Sequence, residues 1–468
     1  MNFASATFLL FYAVLFIAYW LLPGARARKL LLLAASYYFY MSWDMEFAAL
    51  IAFSTAVDFS IGLVLARTQV VSRRKAALLT SLTVNLGLLC YFKYAGFFVE
   101  SAYSLLTSLG VTLQPIELQI ILPVGISFYT FQTLSYTIDV YRRQLEPVRD
   151  PLDFSLFVAF FPQLVAGPIV RASHFLPQLR DPKRFAWATC RSGWQRIIIG
   201  LAKKTALADS FALVSNEVFA APEQFGFLGC WFGVVAFALQ IYCDFSAYSD
   251  IAIGTAQTFG YHIPENFKHP YIACNVRDFW RRWHISLSTW LRDYVYIPLG
   301  GSRQGPARSS LNLMATMFLG GLWHGAAWTF VAWGVLHGSM LAIHRAIDRL
   351  GARNEARRFG PIWGIPVTFV LVCFGWVLFR AESFGDASTI LQGLLGLRHV
   401  DQPPALRTPV VTLLVAMLLV HAWAATCERR GWHWSPPLAI RTAFITLCAG
   451  LVLALAQRNA LEFIYFQF

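Results

Sequence analysis

The chain has 468 residues, of which 57% are hydrophobic and 13% charged, with a mean hydropathy of +0.53 and a formal net charge of +13. A soluble domain averages roughly 25% charged residues, so this composition excludes an ordinary soluble protein. The apolar runs are continuous rather than alternating and long enough to cross a bilayer, so the class is an all-α polytopic membrane protein. A positive-inside excess of Lys and Arg in loops explains the basic balance, and no nucleic-acid partner is expected.

In chain order, Phe3 to Leu22 reads as a retained first span, because no basic leader or small-residue cleavage site accompanies it. Arg26, Arg28 and Lys29 follow. Leu30–Trp43, Phe47–Ala66, Ala76–Val99 and Leu118–Val140 read as the next four spans, separated by alternating basic and non-basic loops. Counting Lys and Arg places the N-terminus outside and the basic loops in the cytoplasm. Residues 152–170 break this rhythm at Phe161-Pro162-Gln163 and Ala166-Gly167-Pro168 and read as a re-entrant segment. Residues 192–215 read as an amphipathic span with Arg196, Lys203 and Lys204 in its first turns.

Residues 227–258 form a long apolar stretch carrying Asp244 and Asp250. Carboxylates at membrane depth are costly unless paired or hydrated, and cytoplasmic arginines are the expected partners. A second irregular region, 261–309, contains Asn266 and the block from Arg277 to Tyr294. At about 100° per residue, Phe279, Trp280, Trp283, Leu287, Trp290, Leu291 and Tyr294 share one arc of a single helix. Arg277, Arg281, His284, Ser288 and Arg292 form a polar stripe, with Arg282 in a second polar sector. One reading is a helix lying in the interface plane. The other is a stripe that lines a cytoplasm-facing cavity for a phosphorylated substrate, since guanidinium matches phosphate geometry.

Gly320-Gly321-Leu322-Trp323-His324-Gly325-Ala326-Ala327-Trp328 then places a histidine inside an apolar run. It is either a neutral core histidine bonded to a neighbouring helix or a functional group. His337 reads as structural. Residues 361–379, 408–427 and 439–457 are the remaining spans, with a mildly polar segment up to Arg407 and an aromatic tail, Phe463 to Phe468. The sum is about 11–12 spans plus re-entrant or in-plane helices. The eight cysteines show no metal-site spacing and no metal site is expected.

Several blocks together resemble the membrane-bound O-acyltransferase family, in particular its bacterial branch, which acylates alginate- and teichoic-acid-type polymers. They are Asp278 to Ser286 continuing through Trp290-Leu291-Arg292-Asp293-Tyr294 and Pro298-Leu299-Gly300-Gly301, and Trp323-His324-Gly325. Gly167-Pro168-Ile169, Asp244 to Asp250, Asn266-Phe267 and Trp376 to Ala381 support the likeness, which covers most of the chain. It implies one membrane domain over 1–468: N-terminal spans 1–150, a core 151–350 and C-terminal spans 351–468. Its fold would be a ring of helices around a thin centre with a funnel. His324 would be catalytic and His284 the second functional histidine. Arg277, Arg281, Arg282 and Arg292 would bind an acyl thioester, acetyl-coenzyme A or a carrier-protein thioester. Trp323, Gly325, Trp328, Trp283, Asn266, Asp244 and Asp250 would shape the site. The expected setting is the bacterial inner membrane, with lipid and a periplasmic acyltransferase or polymer-export protein as partners. Direct acylation of a lipid or small hydroxyl compound, and a transporter or polymer permease, remain alternatives.

Overall fold

The computed structural model describes residues 1, 3–112, 114, 118–349, 361–398, 400, 408–432, 437–455 and 463–464. Residues 401–407, which end the polar segment, and 465–468 of the aromatic tail lie outside the described residues. All regular structure among the described residues is helical. Seven helices are long and apolar enough to cross a membrane, from Phe47–Arg67 to Leu438–Leu455, and Ala6–Leu21 is a shorter apolar helix. The chain is therefore a multi-pass membrane protein. Fewer helices meet that length and composition than the 11–12 spans expected. Several expected spans are short or broken: Ala25–Met41 and Ile126–Tyr141 have 17 and 16 residues. The latter starts eight residues later than the hydropathy suggests. Pro123 disfavours helix before it, and Gly125, at φ 75°, is a left-handed N-cap.

The chain divides into two compact units, residues 1–197 with 251–264, and residues 198–250 with 265–468. In the first unit, the segment 151–170 is broken as its Pro and Gly residues require. Helix Pro151–Ala159 ends at Phe160, and a single turn, Phe161–Leu164, follows. Phe154, Phe157, Phe160 and Phe161 are completely buried. Irregular backbone is thus enclosed by protein, the condition under which a membrane protein tolerates it. Two buried charged residues of this unit are well bonded. Asp58, buried in Phe47–Arg67, accepts from Ser81 Oγ (2.5 Å), Asn85 Nδ2 (2.9 Å) and Thr137 Oγ1 (3.2 Å). Arg74 donates to the carbonyls of Leu65, Thr68, Val140 and Tyr141 at 2.6–3.3 Å.

The second unit holds both histidine blocks. Its core contains Trp283, Trp333 and Trp376, each 1% exposed. The expected amphipathic span at 192–215 is three pieces: helix Trp187–Ala202, a widened turn Lys203–Ala208 and helix Asp209–Ala220. The widened turn presents Lys203 and Lys204 to the buried carboxylates of the long helix Phe227–Thr258. Lys204 lies 2.8 Å from Asp244 and 3.0 Å from Asp209, and Lys203 pairs with Asp250. The expected arginine partners are therefore lysines.

Candidate active site

His324 is the last residue of helix Gly305–His324, and the chain re-enters a helix at Trp328–Arg349. The two helices pack backbone to backbone because their facing positions are glycines. A Cβ on Gly321 would run into the Phe330 carbonyl oxygen, one on Gly334 into that of Met317, and one on Gly325 into the Phe330 ring. This close hairpin presses the His324 ring against Trp333 and Phe379, with centroids 5.1 and 5.2 Å away, and Trp323 lies 5.1 Å away. His324 is 5% exposed. Trp328 is 55% exposed, so it does not enclose the histidine as expected. It opens the new helix, where the turn through Gly325 has carried the chain away from the buried face.

The arginine block is not one continuous helix. Val276–Arg282, capped by Asn275 Oδ1 on the Asp278 amide (2.9 Å), stops at Trp283, and Ile285–Leu291 begins after His284. His284 has φ 42° and ψ 55°, an uncommon left-handed conformation for a histidine. Such a residue costs on the order of 1–3 kcal/mol and persists only where its surroundings over-determine it. Asn266 does this. Its carbonyl accepts from the Ile285 amide (2.9 Å). Its Oδ1 accepts from the Ser286 amide (3.3 Å), Ser286 Oγ (2.9 Å) and His284 Nδ1 (3.1 Å). Its Nδ2 donates to Ser249 Oγ at 3.3 Å. A backbone N–H can only donate, so the Asn266 atom facing it is the oxygen. His284 Nδ1 therefore carries the ring proton, and Nε2 is the acceptor of the neutral ring.

The break takes His284 off the arginine stripe. It is completely buried, against Phe245 (4.7 Å between centroids), and its ring lies 6.4 Å from that of His324. Trp283, beside it, packs on Trp376 (4.9 Å) and Phe267 (5.1 Å). The arginines face a pocket of about 810 Å³, lined by Arg277, Arg281, Arg292, Arg345, Asp348 and Trp280 among others. Arg277 pairs with Asp348 (2.7 Å) and Arg292 with Asp293 (2.6 Å), while Arg281 has no carboxylate partner among the described residues. Hydrogen bonding to Asp293 raises the pKa of Arg292, holding its charge.

Arg282 departs from the expected set. It bonds Asp278 (3.0 Å) and Glu428 (2.8 and 3.0 Å) and does not line the pocket, because the second polar sector faces the other way. Asp244 and Asp250 belong to the lysine cluster rather than to the pocket, and the Ile464 amide caps Asp244 at 2.6 Å. Sequence reasoning did not single out Arg345, which bonds Tyr296 Oη at 2.9 Å and fastens the Gly300-Gly301 turn. A basic residue one turn from the end of an apolar helix was the available signal. For Trp333 no spacing rule offered one.

Residues 77–382 match the family model described as membrane-bound O-acyltransferase. The chain is 39% identical to a probable alginate O-acetylase of Pseudomonas putida, with all of both chains covered. It is 35% identical to a peptidoglycan O-acetyltransferase of Helicobacter pylori over 84% of this chain and 79% of the relative. A teichoic acid D-alanyltransferase of Bacillus subtilis is 28% identical over 56% of this chain and 69% of the relative.

Proposed function

We propose, because the chain belongs to the membrane-bound O-acyltransferase family, that this O-acyltransferase moves an acetyl group from acetyl-coenzyme A to a hydroxyl of an exported polysaccharide or cell-wall polymer. The names of the alginate and peptidoglycan relatives support the acetyl group and the polymer. The enzyme works in the bacterial inner membrane with its N-terminus outside. It takes donor from the cytoplasm and passes the acetyl group to a periplasmic acyltransferase or directly to the polymer.

One observation carries this reading: two buried histidines, 6.4 Å apart, in the same unit as an arginine-lined pocket. Arg277, Arg281, Arg292 and Arg345 offer the donor phosphates bidentate partners, and Arg281 meets them without first giving up a carboxylate. Trp280, in the pocket wall, is 5.7 Å from Trp333, which touches His324. An acyl group entering past Trp280 thus approaches His324.

His324 removes the proton of the acceptor hydroxyl. The oxygen forms a bond to the thioester carbon, and the carbonyl pair moves onto oxygen. Collapse breaks the C–S bond, and the departing thiolate takes the proton from His324. His284, with its tautomer held by Asn266, orients the acceptor through Nε2. That fixed tautomer also favours a second reading in which His284 is the base. The test is acetyl transfer by His324→Ala and His284→Ala in folded, inserted protein. Loss of 10²- to 10⁴-fold is the scale expected for a general base. Near-normal transfer by His324→Ala with loss by His284→Ala assigns the base to His284, and near-normal transfer by both sinks the proposal.

A further inference from the structure

Beyond the two histidines, one cluster of packed rings holds buried polar atoms that the fold leaves unanswered. The indole N–H of Trp280, the indole N–H of Trp333 and both ring nitrogens of His337 are buried without a hydrogen-bond partner. The three rings pack on one another, with centroids 5.7 Å apart for Trp280 and Trp333, 5.2 Å for Trp280 and His337, and 4.8 Å for Trp333 and His337. Buried polar groups are nearly always bonded, so a concentration of exceptions calls for a ligand or a role. An indole nitrogen can only donate. Phenylalanine would fill much of the same space and bring no unanswered donor.

Their position supplies the role. Trp280 lines the arginine pocket, and Trp333 lies against His324. We propose that Trp280 and Trp333 donate their indole N–H groups to the oxygen of the acyl carbonyl, with His337 as a positioning residue wedged against both rings. The inference rests on the acyl-transfer reading above. When the acceptor oxygen bonds to the carbonyl carbon, the π pair moves onto that oxygen and its negative charge grows. Donors set in place beforehand in a water-poor site stabilise it without reorganising. The C–S bond then breaks, and the proton held by His324 passes to the thiolate. His337 is completely buried, and its Nε2 faces Gly375, where a Cβ would stand 2.7 Å away. The neighbouring helix therefore leaves room for this imidazole and for no larger contact.

The test uses membranes from a host deletion strain complemented with each full-length variant and supplied with labelled acetyl-coenzyme A. Label transferred to polymer and coenzyme A released are both measured. Trp280→Phe and Trp333→Phe keep a ring and remove the N–H. Each lowers kcat by about 10²-fold, the scale for loss of one oxyanion donor, and leaves donor KM within about threefold. His337→Leu, which reaches no further than the imidazole, lowers kcat without lowering the thermal midpoint, a combination that a purely structural histidine would not give. Where a Phe variant does not insert, benzothienylalanine at the same position replaces N–H by sulfur in a ring of the same shape. Wild-type kcat in both Trp variants, or a change confined to KM, overturns the inference, while a dead His324→Ala and His284→Ala keep the acyl-transfer reading intact. Full transfer by both histidine variants overturns that reading and this one together.

Discussion

Asp58 and His337 are both polar, both completely buried and both on helices apolar enough to cross a membrane, yet their surroundings differ. Ser81, Asn85 and Thr137 converge on the Asp58 carboxylate. His337 sits among Trp280, Trp333 and Phe279 with neither ring nitrogen bonded. A satisfied polar group explains its own burial through the helices it ties together. An unsatisfied one costs stability unless something else answers it. The same contrast separates Arg282, answered by Asp278 and Glu428, from Arg281, which faces the pocket without a carboxylate partner among the described residues.

The contrast breaks or sharpens under substitution. The largest effect is expected from Asn266→Ala, which removes the group that fixes the His284 tautomer and its left-handed backbone. Acetyl transfer should fall about 100-fold, roughly 2.7 kcal/mol in barrier terms, with the protein still inserted. Transfer within threefold of wild type would show that His284 needs no orienting partner. Asp58→Ala strands three donors and should lower unfolding stability by about 1–3 kcal/mol, leaving kcat per folded molecule unchanged. A specific loss of kcat, measured on protein of matched folded fraction, would make Asp58 functional and erase the comparison. Arg281→Glu should raise donor KM about tenfold, roughly 1.4 kcal/mol, whereas Arg282→Lys should leave donor KM unchanged. Equal effects at the two positions would place Arg282 in the donor site after all.

The candidate site residues could be picked out along the chain because they stand out by residue type and local order. Tryptophan and histidine inside apolar runs, arginines at helical spacing and Pro–Gly interruptions announce themselves within a few residues. Arg277, Arg281 and Arg292 share one pocket, and His324 is buried. Local periodicity fails wherever a distant residue overrides it. A continuous helix over 277–294 is the best local pattern, and it puts His284 among the arginines. Asn266, 18 residues earlier, supplies the bonds that break the helix and rotate His284 into the core. Asp244 and Asp250 were legible as paired charges. Their lysine partners depended on a widened turn that composition does not encode.

By itself, then, the sequence determined the medium, the helical class and the family, because hydrophobicity, backbone satisfaction in lipid and short-range spacing are local properties. Only the tertiary structure decided which polar groups are bonded within the fold: it pairs Arg282 with Asp278 and Glu428 and turns Arg281 to the pocket, takes His284 off the arginine stripe, and bonds Asp58 while leaving the His337 ring nitrogens unbonded. Hydrogen-bond satisfaction depends on residues brought together from far apart in the chain, and no pattern along it carries that information.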